Sequence, residues 1–186
     1  MANASAAPDN EQDEPIEITP YDSSWPDNFA SERDLLAALL RPWIVGPIEH
    51  IGSTAVAGLA AKPIIDIMVG VESLDASRGA IPVAAAARYK YWPYKADSMH
   101  WFCKPSASHR THHLHLVPFE GWLWNARLAC RDALRRDPRL AREYADLKCR
   151  LARKHRHDRD AYTESKYGFV QAVLASVNVP GRREIS

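Results

Sequence analysis

The sequence predicts an α+β fold: a small mixed β-sheet with flanking helices and a helical C-terminal portion. Three observations carry that expectation. Two apolar runs, Pro47–Ile51 and Lys62–Val69, have strand length and end at turn-forming residues. Three further extended runs follow closely, Tyr89–Tyr94, Met99–Lys104 and His112–Val117. Beyond Pro118 the apolar period becomes helical, with Leu140, Tyr144, Leu147 and Leu151 spaced four, three and four apart.

Taken in order, residues 1–14 are rich in Ala, Asn, Asp and Glu, carry no Lys or Arg, and have too little apolar surface to offset the entropy of ordering, so a disordered leader is expected. Ile16–Thr19 alternates as a short strand. Ser24-Trp25-Pro26 opens a helix with a capping hydroxyl and a first-turn proline, and Leu35, Leu36, Leu39 and Leu40 form its buried stripe. Thr54–Ala61 is a small, weakly helical connector. Leu74–Arg88 is Ala-rich and helical, kinked or divided at Pro82, which lacks an amide donor. Of the three strands that follow, the first two are expected to be shorter and more exposed. Asp137-Pro138 caps the helix that carries Tyr144. A last helix is expected from Asp158 to about Val177, burying Phe169, Val170, Val173 and Leu174, before a frayed tail over 179–186. No repeat or linker divides 15–178, which reads as a single domain.

Composition narrows the function. Lys and Arg number 24 against 23 Asp and Glu, a net charge of +1, so a protein that grips duplex nucleic acid through its phosphates is disfavoured. Cys103, Cys130 and Cys149 are widely spaced and odd in number, without a C-x-x-C pair, which fits a reducing, cytoplasmic setting. No apolar stretch reaches the roughly 18 residues that span a bilayer, and no signal peptide is visible.

Three groups of residues could carry chemistry. Gly52-Ser53 permits a tight turn whose amides and hydroxyl face an anion, and Asp66 lies downstream inside an apolar strand, where a carboxylate needs a partner. Strand parity sets Ile64, Asp66 and Met68 on one face. The same residues also read as a cap and a loop hydrogen bond. His113 and His115 share a face of their strand, with Leu114 and Leu116 on the other. Together with Asp66 they form a metal set or an anion site, or one is a structural histidine and the other a surface residue. On the late helices Arg127 and Arg131, and Tyr162 and Lys166, stand at i,i+4. Arg131 and Lys166 could meet a polyanion, or the charges form a solvated face. The basic run Arg150–Arg159 reads as a solvated face.

With these residues in place, the chain resembles the GrpB-like family, a branch of the nucleotidyltransferase superfamily. The likeness covers about residues 16–177. It rests on Pro20-Tyr21-Asp22 with Trp25-Pro26, Glu49-His-Ile-Gly-Ser-Thr-Ala-Val56 through Lys62-Pro-Ile-Ile-Asp-Ile67, His112-His-Leu-His115, Arg131-Asp132, and Tyr162-Thr-Glu-Ser-Lys166. The resemblance implies a nucleotidyltransferase-type sheet with the Gly-Ser turn at its edge above the carboxylate strand. It also implies a phosphate-binding set of Gly52, Ser53, Lys62, Arg131, Tyr162 and Lys166. In the wider superfamily a D-x-D pair and a third carboxylate hold two divalent ions for attack at phosphorus. Here Asp66 matches the first position, Met68 occupies the second, and His113 and His115 stand where the third carboxylate is expected. A thioether is a poor ligand for Mg²⁺, so an Asp66, His113, His115 site implies Zn²⁺, Mn²⁺ or Fe²⁺ ahead of Mg²⁺, or no ion. Ala57, where the family usually has proline, and Cys130 and Ala133, in place of bulkier aromatics, imply a wider pocket near the first late helix.

The leading reading is an enzyme, a nucleotidyltransferase-like transferase, acting on a nucleotide or phosphorylated small molecule with Asp66, His113 and His115 as catalytic residues. Two readings stand beside it: a His/Asp enzyme for a small non-nucleotide substrate, and a binding or assembly module with a relict pocket. The substrate and the oligomeric state leave no code in these residues.

Overall fold

Apolar side chains that alternate along extended runs give each strand two faces, and the strands pair side by side into one sheet. The computed structural model describes residues 14–179. The strands are β1 (Ile44–Ile51), β2 (Ile65–Val71), β3 (Lys90–Trp92), β4 (His100–Pro105) and β5 (Arg110–Pro118). Their order is β1-β2-β5-β4-β3; β2 and β5 run parallel, and the other neighbours are antiparallel. The helices are α1 (Trp25–Leu39), α2 (Ala80–Ala86), α3 (Trp122–Arg136), α4 (Pro138–Lys154), α5 (Arg159–Glu164) and α6 (Tyr167–Ser176). The result is the expected α+β architecture with a mixed sheet.

Each sheet face buries a different set of residues. On one, Ile65, Ile67, Val69, Val71, Phe102, Leu114 and Leu116 pack against Trp25 and Leu36 of α1 and Ala80 and Ala84 of α2. On the other, Met68, Trp101, Cys103 and Val117 pack against Trp124 of α3. Asp66, His113 and His115 share this second face by strand parity. A third cluster joins Val56 and Leu59 of the connector to Leu134 and Tyr144, so α3 and α4 close over the loop between β1 and β2.

Several local expectations give way to packing. Ile16–Thr19 makes only one bridge, Thr19 to Ala61. Ser24 makes no cap with its hydroxyl; its amide donates to Asp22 Oδ1 at 2.8 Å instead. Leu36 and Leu40 are buried, but Leu35 turns to solvent. The Ala-rich helix is confined to α2, which begins just before Pro82, so that proline sits in the first turn and kinks nothing. β4 is interior to the sheet and His100–Cys103 are buried, not exposed. The last helix is two helices, broken at Ser165-Lys166, and Phe169 and Val170 are only half-buried. The leader expected over 1–14 and the tail over 179–186 lie outside the described residues except for Glu14 and Val179. Among the described residues no helix is long and apolar enough to cross a membrane.

Leu36 is fully buried between α1 and β2. Leu36→Ala should therefore cost about 2–5 kcal/mol of unfolding free energy, measured by urea titration. A loss below about 1 kcal/mol would place α1 outside the core.

Candidate functional site

A carboxylate inside an apolar strand is costly to bury, and this one is met by two imidazoles from the neighbouring strand. The parallel register sets Asp66 beside His113 and Met68 beside His115. His113 Nδ1 lies 2.9 Å from Asp66 Oδ1, and His115 Nε2 lies 3.4 Å from the same oxygen. Oδ2 takes no hydrogen bond from the described residues. It lies under Gly52, whose φ of +71° and lack of a side chain make room for it: a Cβ there would sit 2.4 Å from Oδ2.

The protons on this group follow from its neighbours. Arg127 Nη1 is 3.0 Å from His115 Nδ1. A guanidinium only donates, so Nδ1 accepts and Nε2 carries the proton directed at Asp66. Burial and the Arg127 charge push the His115 pKa down to about 3, so its ring is neutral. Asp66 resists ionisation through burial, but the hydrogen bonds and proximity of His113 and His115 outweigh that and hold its carboxyl well below the usual range. Facing an ionised carboxylate, His113 donates through Nδ1. Its Nε2 is buried without a hydrogen-bond partner, and burial lowers its pKa.

Asp66, His113 and His115 offer ligand atoms within 4.8 Å of one another, close enough for a metal ion. The protonation pattern does not suit one. An ion on His115 Nε2 would displace that proton, and Nδ1 cannot receive it while Arg127 donates there, so the ring would have to become imidazolate or Arg127 would have to leave. Met68, at the second D-x-D position, is fully buried in the core and offers nothing to the cleft.

Opposite Asp66 stands a set of amines. Lys62, from the end of the connector, and Lys166, from the α5–α6 junction, lie 4.9 and 4.1 Å from the centroid of the Tyr162 ring. Lys148, projecting from α4, is 2% exposed, donates to the carbonyl of Ala60 and lies 4.9 Å from the Tyr144 ring centroid. Burial, then the Lys62 charge, pushes Lys166 down to about 7 against the pull of Asp66. Burial, then the Lys166 charge, pushes Lys148 down to about 7 as well. No carboxylate among the described residues forms an ion pair with Lys148 or Lys166. With Ser53 and Thr54 these residues enclose a cleft of about 70 Å³ that holds both the lysines and Asp66.

Of the residues singled out in the sequence, the structure brings Ser53, Lys62, Asp66, His113, Tyr162 and Lys166 into this cleft, with Gly52 over Asp66 and His115 behind it. Arg131 is elsewhere: it donates to Glu49 at 2.6 Å, to Asp132 at 2.8 Å and to the His50 carbonyl at 3.1 Å, and it is absent from the cleft wall. The arginine that reaches the triad is Arg127, one turn earlier. Lys148 carries no motif, although its place four residues after Tyr144 sets it on the buried stripe. A larger cavity, about 710 Å³, lies on the other side of the connector, and Ala57 lines it, while Cys130 and Ala133 do not.

Comparison with known proteins identifies the family and the fold. The family model described as GrpB protein matches residues 15–176. A UPF0157 protein of Pseudomonas aeruginosa is 38% identical over 170 residues, covering 89% of this chain and 69% of that protein. The glutamate-rich protein GrpB of Alkalihalophilus pseudofirmus is 35% identical over 162 residues, covering 84% and 92%. The crystal structure of conserved protein GrpB from Enterococcus faecalis superposes with a TM-score of 0.77 at 31% identity, covering 86% of this chain and 96% of that one.

The Arg127 clamp makes a pH prediction. Because the folded His115 pKa of about 3 lies below the unfolded value of about 6.5, the unfolded chain takes a proton first, and stability falls as pH drops through that window. In ¹⁵N spectra the His115 ring should stay neutral with its proton on Nε2 at about pH 5. Arg127→Met should raise its pKa by more than about one unit and lessen the acid destabilisation. A proton on Nδ1 in the unaltered protein would contradict the assignment.

Proposed function

The chain belongs to the GrpB family, and from that premise we propose that it is an enzyme of transferase type acting on a phosphorylated small molecule, nucleotides included, at the Asp66 cleft. One observation carries the reading: Lys62 and Lys166 converge on the Tyr162 ring in the cleft that also holds the Asp66–His113 pair. Crowded, half-desolvated amines repel each other, and an anion between them removes the repulsion. The Gly52-Ser53 turn adds a hydroxyl and backbone amides at the same edge.

In this reading Lys62 and Lys166 hold the phosphate, with Lys148 behind them, and Ser53 donates a further hydrogen bond. Asp66 uses Oδ1 to fix the His113 tautomer and leaves Oδ2 to orient the attacking hydroxyl. As the new oxygen–phosphorus bond forms and the bond to the leaving group breaks, the hydroxyl proton passes to Asp66 Oδ2 and the departing oxyanion is met by the lysine ammoniums, while His113 holds Oδ1 through Nδ1. His115 and Arg127 position Asp66. The site works by acid–base chemistry, since a divalent ion on the triad would have to displace the proton that Arg127 keeps on His115 Nε2. A cleft of about 70 Å³ is well short of the roughly 300 Å³ of a small-ligand pocket, so it takes the phosphate end and leaves the rest of the molecule at its mouth. That volume also favours a second reading, a small non-nucleotide phosphate or carboxylate as substrate. The three unpaired cysteines support a cytoplasmic setting.

Sulfate, whose charge does not change near neutrality, tests the anion site. An amine with a pKa of about 7 is charged below that value and neutral above it, so sulfate should raise Tm most at about pH 6–7 and less at about pH 8–9. Lys166→Met should weaken the shift and flatten its pH dependence, leaving the part that Lys148 carries. A flat pH profile, or an unchanged shift in the variant, would refute the anion site. For catalysis, Asp66→Ala should lower any phosphate-ester turnover by about 100-fold or more while leaving the sulfate shift measurable.

A further inference from the structure

The cavity of about 710 Å³ lies between α1, the connector and the start of α4, and contains neither Asp66 nor any of the lysines. Its size is that of a small-molecule pocket. Phe29, Val56, Leu59 and Leu134 make most of its wall apolar. The charged groups are few and of one sign. Arg135 and Arg142 stand at its exposed side, and no acidic residue lines it.

His50 adds a third feature. Its ring stacks on Phe29, with centroids 4.6 Å apart and planes within 8°, so each ring covers a face of the other and the half-buried Phe29 is the more exposed of the two. Thr54 Oγ1 donates to the Ile64 carbonyl at 3.2 Å, so it must accept from His50 Nε2, 3.0 Å away. That leaves His50 Nδ1 as a lone-pair acceptor. Burial keeps the ring neutral, with a pKa of about 4, so the wall adds no positive charge.

We infer that this trough is a second ligand site, separate from the Asp66 cleft, which takes a small organic acid: an apolar body among Phe29, Val56, Leu59 and Leu134, with its carboxylate at Arg142 and beside Arg135. Charge selects the occupant. Two guanidiniums, of which only Arg135 has an acidic neighbour in Asp132, favour an anion over a neutral or cationic ligand of the same shape. Arg135 is partly committed: its Nε donates to the Ala55 carbonyl at 2.9 Å and its Nη1 lies 3.7 Å from Asp132 Oδ1, so Arg142 is the main partner of the carboxylate and Arg135 ties the site to the connector. The connector carries Ser53 and Thr54, which also line the Asp66 cleft, so an acid bound here abuts the same loop from its other side.

Calorimetric titration of the full chain with 2-naphthoate and 2-naphthamide tests this. Naphthoate should bind one to one and at least about five-fold more tightly than the amide. Arg142→Ala should bring the two ligands close to parity. Ala57→Trp, at an exposed position on the trough wall, should block both while keeping the sulfate-induced rise in Tm that reports on the Lys166 cleft. Ala145→Phe provides the same block from α4 if the connector variant fails to fold. Equal affinity for acid and amide in the unaltered protein, absence of binding, or naphthoate binding that survives both filling variants would overturn the inference. So would self-association that Ala57→Trp abolishes, because the trough would then belong to a second copy of the chain.

Discussion

The site depends on one constraint: a carboxylate half-buried in the sheet must be matched by donors from the adjacent strand, and the parallel pairing of β2 with β5 supplies them. That register sets Asp66 beside His113 and brings His115, two residues on, to the same oxygen. The anchoring continues outward. Arg127 of α3 donates to His115 and, at 3.4 Å, reaches the sulfur of Met99, so a helix holds the imidazole that holds the carboxylate. On the other side of Asp66 the chain must approach closely, and only glycine at 52 permits it. A shift of β5 by one residue would turn both histidines to the opposite face and leave the half-buried carboxylate without its donors.

The opposing charges are arranged with similar economy. Asp66 is held ionised, while Lys148 and Lys166 are held close to losing their protons. The cleft therefore keeps a fixed negative group at one wall and a responsive positive wall facing it, an arrangement suited to an anion that brings its own proton-exchange chemistry. The connector from Ser53 to Lys62 lies between this cleft and the apolar trough. Thr54, pinned between His50 and the Ile64 carbonyl, is common to both walls.

Much of this is legible in the sequence because it rests on periodicity. The period of two along a strand sets Asp66 with Met68 and His113 with His115, and the period of a helix sets Tyr162 beside Lys166. Gly52 is readable because a glycine before a polar turn marks a backbone that other residues disfavour. What periodicity leaves open is which of two equivalent residues meets a partner distant in the chain. Arg127 and Arg131 share a helix face, yet Arg131 is captured by Glu49 of β1 and Arg127 by His115 of β5. Lys148 sits on an apolar stripe, where a lysine reads as an interruption until the Ala60 carbonyl is known to receive it. The break at Ser165-Lys166 and the absence of a cap from the Ser24 hydroxyl, which accepts from the Asn28 side chain instead, are likewise not set by local propensity alone.

The claim at the centre of this account is that the amines facing Asp66 form an anion site. A crystal of the protein soaked in selenate and measured at the selenium edge tests it most directly. The account predicts an anomalous peak within hydrogen-bonding distance of the Lys62 and Lys166 amines, at a position that also reaches the Ser53 turn. A peak confined to exposed arginines such as Arg142, with the Asp66 cleft holding water alone, would contradict it.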